Sequence, residues 1–159
     1  MGSLMVTKVR AGALFLAALT AAASPAFAQA DGLRLQLTGQ GRFTYFADLD
    51  SVRPHADGRA SLRALQLNDE PMQLGDKRYL GGWSLWAFDC DNRSAQRLDF
   101  QSLTDDGQLG PATPTRTAPY PLAAGGDAAE LAAVACREAE PRVDARTLAE
   151  AIALAADND

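Results

Sequence analysis

Histidine occurs once in this chain, at position 55, and cysteine twice, at positions 90 and 136. That scarcity excludes several chemistries together. A structural zinc site takes four ligands at short cysteine and histidine spacings, and two distant thiols with one imidazole do not supply them. A redox pair uses Cys-x-x-Cys, whereas these cysteines lie 46 positions apart. A cysteine nucleophile needs a neighbouring base, and His55 is the one imidazole available. Phosphate-binding glycine loops are missing too. Gly39-Gln40-Gly41 lacks the third glycine of a dinucleotide fingerprint. Gly82-Trp83-Ser84-Leu85-Trp86 misses a nucleophile elbow because position 86 is tryptophan. No acid, base and nucleophile can be assembled into one constellation, so the sequence reads as non-enzymatic, with no cofactor and no metal site.

A membrane-spanning run is also lacking. The longest apolar stretch, AGALFLAALTAAAS, is broken by Ser24 and Pro25, short of the roughly 20 residues a span requires. Lys8 and Arg10 precede it and Ala26-Phe27-Ala28 follows, the layout of a cleavable export signal. Residues 1–28 are therefore expected to be a signal peptide, with cleavage before Gln29. No cysteine adjoins that site to carry a lipid. The mature chain is expected to be soluble and exported, periplasmic or secreted, without a lipid anchor.

Basic runs are absent as well. Without Lys8 and Arg10 the mature chain holds 13 basic against 20 acidic residues, a net charge of −7. Such a chain gains nothing from phosphate contacts, which argues against nucleic acid and anionic membranes as partners. Its length suits one domain with one core.

What is present reads as short strands followed by helix. Leu33 to Thr38 alternates apolar and polar residues, the period of a half-buried strand. Phe43 to Ala47 is a second strand, and Ala60 to Leu67, after the Asp57-Gly58 turn, a third. The fourth contains WSLWAFDC, residues 83–90. Its alternation puts Ser84, Trp86, Phe88 and Cys90 on one face and Trp83, Leu85 and Ala87 on the other. Gln96 to Leu103 returns, with Leu98 and Phe100 expected on a common face. A weaker strand is expected near Pro111 to Thr117. Asp127-Ala128-Ala129-Glu130 has capping-box spacing ahead of a helix presenting Leu131, Ala132, Ala135 and Cys136. Asp144 is the expected N-cap of a further helix, with Val143 stapled to Leu148. The fold class is α+β: an antiparallel meander of about six strands, with a C-terminal helix or helices packed on one face by a disulfide. Residues 29–140 would form this domain and 141–159 the C-terminal helix.

The two cysteines are then best placed as a staple. An exported chain with an even cysteine count favours a disulfide. Cys90 at a strand end and Cys136 on an apolar helix face would pin helix to sheet.

Three elements together resemble the surface-adhesin protein E family. They are Phe46-Ala47-Asp48-Leu49-Asp50-Ser51-Val52, the strand that starts near Gly81-Gly82 and closes at Asp89-Cys90, and the terminal helix bearing Ala135-Cys136. The resemblance runs from about Phe43 to Cys136. It implies an antiparallel sheet whose concave face holds a C-terminal helix by a disulfide. It also implies an adhesin-like protein-binding role: the founding member binds host vitronectin and laminin and has been associated with haem. That member is lipid-anchored, and this chain has no cysteine for such an anchor.

Candidate sites follow from the residues. Asp48-Leu49-Asp50-Ser51 clusters oxygens as a calcium loop does, but the next residues offer neither further ligands nor a glycine. Asp50 or Ser51 is expected to cap a short turn instead. His55, beside Pro54 in a polar turn, is expected to be exposed rather than a haem ligand. The segment NDEPMQLGDK, residues 68–77, reads as an exposed loop, and Met72 and Leu74 within it are candidate binding residues. Trp83 joins them if it points outward. The expected function is a non-enzymatic envelope binding module for a protein partner, the alternative being a structural or assembly role in the periplasm.

Overall fold

In the computed structural model the described residues are 32–115 and 117–157. The expected signal segment, residues 1–28, and its expected cleavage site lie outside them. The nine strands are β1 Leu35–Gly39, β2 Phe43–Asp48, β3 Arg53–Pro54, β4 Arg59–Leu74, β5 Lys77–Asp89, β6 Ser94–Arg97, β7 Asp99–Thr104, β8 Thr113–Pro114 and β9 Tyr120–Pro121. Two helices follow, α1 Asp127–Ala135 and α2 Leu148–Ala156. The sheet runs β1-β2-β4-β5-β6-β9, with β3 beside β4 and β7 beside the first half of β5. Every strand pair is antiparallel. Sheet, helices and disulfide are those of the expected α+β fold.

Strand period sorts the apolar residues into two layers. Tyr45, Ala47, Ala60, Leu62, Ala64, Trp86 and Phe88 share one face, and α1 covers it with Leu131, Ala132, Val134 and Ala135. Phe46, Leu65, Leu67 and Leu103 point the other way, into a second cluster with Ala151 and Ala155 of α2. The two helices thus cover opposite faces. The expected grouping of helices on one face holds for α1, and α2 crosses to the other side. The crossing is fixed at the β1 edge: Leu35 and Ala145 form a bridge, and Leu37 N–H donates to Asp144 Oδ2 at 2.8 Å. Those bonds satisfy an edge that would otherwise be open.

Asp144 therefore serves the sheet and caps no helix. Thr147 caps α2, its side chain accepting from Glu150 N–H at 3.1 Å. At α1 the N-cap is Gly126, without a side-chain cap bond, and Asp127 is already inside the first turn, so the expected capping box is not formed. The helix ends at Cys136, where Arg137 takes φ 60°, the left-handed turn that terminates helices. Cys90 and Cys136 are bonded, and the described residues include no free cysteine.

Two further departures from the sequence reading are local. The third strand continues past Leu67 to Leu74, so residues 68–74 are the arm of a hairpin closed by Gly75-Asp76. Between Leu67↔Gly81 and Met72↔Tyr79 the register shifts, and residues 68–71 bulge. Pro71, which has no N–H to give a ladder, falls inside that irregular stretch. The second departure separates Leu98 from Phe100. Pairing passes from Trp86↔Arg97 to Trp83↔Gln101, one residue out of step. This bulge flips the alternation, so Leu98 faces Leu85 and Ala87 while Phe100 lies over Gly82.

Candidate binding groove

The α1 face is only partly covered. The helix overlies the Cys90 end of the sheet, and the hairpin end is left open. There, Phe43, Gln66, Asn68, Met72, Leu74, Tyr79, Phe100 and Ser102 enclose a groove of about 800 Å³ with Arg42, Asp69 and Glu70 on its rim. Met72 is 56% exposed and Leu74 65% exposed. Among the described residues the other exposed large apolar side chains are Leu109 and, less so, Tyr120, neither in this groove. Two such residues side by side on one hairpin arm are what a buried interface core is made from.

Glycines shape the floor. A Cβ at Gly81 would run into the Gln66 carbonyl of the paired strand, and one at Gly82 would meet the Phe100 ring at 2.5 Å. Gly81-Gly82 therefore lets β4 close on β5 and lets the edge of the Phe100 ring come up against the strand. The Arg97 guanidinium lies over that ring, 5.8 Å from its centroid, and that of Arg42 lies 5.5 Å from the Phe43 ring centroid. Both geometries are cation–π contacts, made by the two phenylalanines that wall the groove. Tyr45, edge-on to Phe43 with centroids 6.5 Å apart, donates its hydroxyl to Gln66 Oε1 at 3.0 Å. Burial pushes the Tyr45 hydroxyl up to about 12, with the Asp127 carboxylate adding to the rise. A neutral, buried tyrosine thus braces two of the lining residues, Phe43 and Gln66, from the α1 side.

The structure brings Met72 and Leu74 together and leaves Trp83 apart from them. Trp83 is half-buried on the opposite face, packed into the α2 cluster, with the Arg63 guanidinium 6.0 Å from its ring centroid. Trp86 is the tryptophan beneath α1, stacked on Phe88 at 6.2 Å. The sequence reading missed Phe43, Tyr79 and Phe100 as wall residues. The alternation of each strand was legible, but which strands adjoin beyond the hairpin was not.

The remaining candidates resolve into local structure. Asp48, rather than Asp50 or Ser51, caps the short turn Leu49–Ser51, accepting from Asp50 N–H at 3.1 Å. Burial raises the Asp48 carboxyl above its usual range. Ser51 ties the turn to β4: its hydroxyl donates to the Asp48 carbonyl and accepts from Arg63 N–H, both at 2.7 Å. Asp50 pairs with Arg34 at 3.1 Å. His55 is exposed in the turn between β3 and β4 and borders an open hollow of about 470 Å³ that includes Leu85, Ala87 and Leu98. That apolar lining was not expected from its polar neighbours in sequence. Among the described residues no three His, Cys, Asp or Glu side chains are grouped to hold a metal ion. No helix among them is long and apolar enough to cross a membrane.

The family model described as surface-adhesin protein E matches residues 35–137. The match begins with the first residue of β1 and ends one residue beyond Cys136. It takes in the sheet, the groove, α1 and both cysteines, and leaves α2 outside. No curated protein matches the chain at a significant level.

Proposed function

Because the chain belongs to the surface-adhesin protein E family, we propose that it is an exported, non-enzymatic binding module that engages a protein through the groove at its hairpin end. The observation that carries this reading is the pair Met72 and Leu74, each more than half exposed beside walls of Phe43, Tyr79 and Phe100. Soluble domains leave few such apolar clusters in water unless a partner covers them. Two exposed side chains and an open groove hold an occupant from one side only, so the association is expected to be transient. Trp83, on the other face, has no share in this groove. Replacing Met72 and Leu74 by serine tests the reading, with Trp83→Phe as the control. Capture of envelope or host-matrix proteins should fall at least tenfold for the serine variant and stay unchanged for the control. Equal capture by wild type and the serine variant would remove the groove from the account.

A further inference from the structure

The chemistry of the occupant can be narrowed, on the reading that the groove binds protein. Its rim carries two carboxylates, Asp69 and Glu70, and one cation, Arg42. Neither carboxylate lies within ion-pair distance of a cation among the described residues, whose pairs are all elsewhere. Arg42 lies over the Phe43 ring and keeps its charge, and Arg97, 5.8 Å from the Phe100 ring centroid, is not among the lining residues. The rim is therefore net negative, on a chain with formal net charge −5. That field attracts a cationic partner and repels an anionic one.

Shape argues for a segment of chain rather than a small molecule. Small-ligand sites enclose most of the ligand's surface. Here Met72 and Leu74 remain more than half exposed, so an occupant is held from one side only. A volume of about 800 Å³ takes a few side chains and lets the chain enter and leave. Recognition of this kind places apolar side chains in the groove and sets polar contacts along the rim.

We propose that the groove binds an extended peptide segment that sets apolar side chains against Met72, Leu74 and Phe100 and pairs a lysine or arginine with Asp69 and Glu70. Apolar contact supplies the hold, and the carboxylates select the charge. Because the pair is exposed on the rim, its effect is screened by salt and falls mainly on the rate of association.

The test is selection of displayed random twelve-residue peptides on the immobilised full-length mature domain, beside M72S/L74S and D69N/E70Q variants whose thermal unfolding is checked first. Wild type should enrich peptides combining apolar residues with lysine or arginine. A synthetic copy of a winning peptide should bind M72S/L74S at least tenfold more weakly. It should bind D69N/E70Q three- to tenfold more weakly, with a shallower salt dependence. Acidic or neutral winners that still require Met72 and Leu74 would overturn the charge assignment and leave the groove standing. Winners indifferent to M72S/L74S would overturn the groove reading itself. Failure to enrich any peptide from wild type would overturn the inference of a peptide occupant, while protein capture would still judge the groove.

Discussion

Replacing both cysteines by alanine should cost this domain about 4 kcal/mol, nearly all of it through the freedom returned to the unfolded chain. Cys90 and Cys136 are 46 residues apart, and closing a loop of that length is worth roughly 4 kcal/mol on the chain-entropy treatment. The native state has little to offset the loss. Helix α1 has nine residues and no side-chain cap at its start, below the roughly 12–15 residues at which a helix is even marginal alone. Its hold on the sheet is Leu131, Val134 and two alanines. An unfolding entropy of about 2.1 cal/mol/K per residue gives roughly 0.26 kcal/mol/K over the described span, so the midpoint should fall by about 15 °C. Circular dichroism melts of wild type and C90A/C136A at one scan rate measure this directly. The near-ultraviolet signal of Trp86, which lies beneath α1, should be lost in the same transition. A shift of less than about 5 °C would refute the reasoning, because α1 would then be held by its apolar contacts.

Two other perturbations probe the groove's construction. Gly81→Ala drives a methyl into the Gln66 carbonyl between paired strands and should cost at least 1–3 kcal/mol. Gly75→Ala meets open space at φ 60° and should cost only about 1 kcal/mol of backbone strain; equal losses in urea titrations would contradict the close approach. Tyr45, its hydroxyl raised to about 12 by burial, keeps its proton in the folded state where an unfolded chain releases it near 10. Its contribution to stability is therefore complete below pH 10 and is lost as pH rises from 10 towards 12. The difference in absorbance at 295 nm between wild type and Tyr45→Phe should be a single-tyrosine step centred near pH 12, and a step near 10 would show an exposed hydroxyl.

Much of this fold is legible in the amino-acid sequence. The alternation through WSLWAFDC places Trp86, Phe88 and Cys90 together, and the cysteine parity joins that face to α1. Misreadings arise where one signal has two physical uses. Asn68-Asp69-Glu70-Pro71 looks like a breaker, yet a bulge absorbs these residues while β4 runs on to Leu74. Asp144 has the side chain of an N-cap but spends it on Leu37 N–H at the sheet edge, a partner 107 residues away. The face chosen by α2 depends on that same long-range contact, which no local period encodes. Met72 and Leu74 stand out as apolar residues in polar company, whereas Phe43, Tyr79 and Phe100 look like ordinary strand residues. Only the sheet order brings them to the groove.

Where the partner sits on the molecule is read from a footprint of the bound state. Amide chemical shifts of the isotopically labelled mature domain, recorded while a captured partner or selected peptide is added, report which surface it covers. Perturbations should be concentrated at Arg42, Phe43, Asn68 to Leu74, Tyr79 and Phe100 to Ser102, with α2 and Trp83 undisturbed. Shifts concentrated on α2, Trp83 or the hollow beside His55, with the hairpin arm unchanged, would contradict binding in the groove.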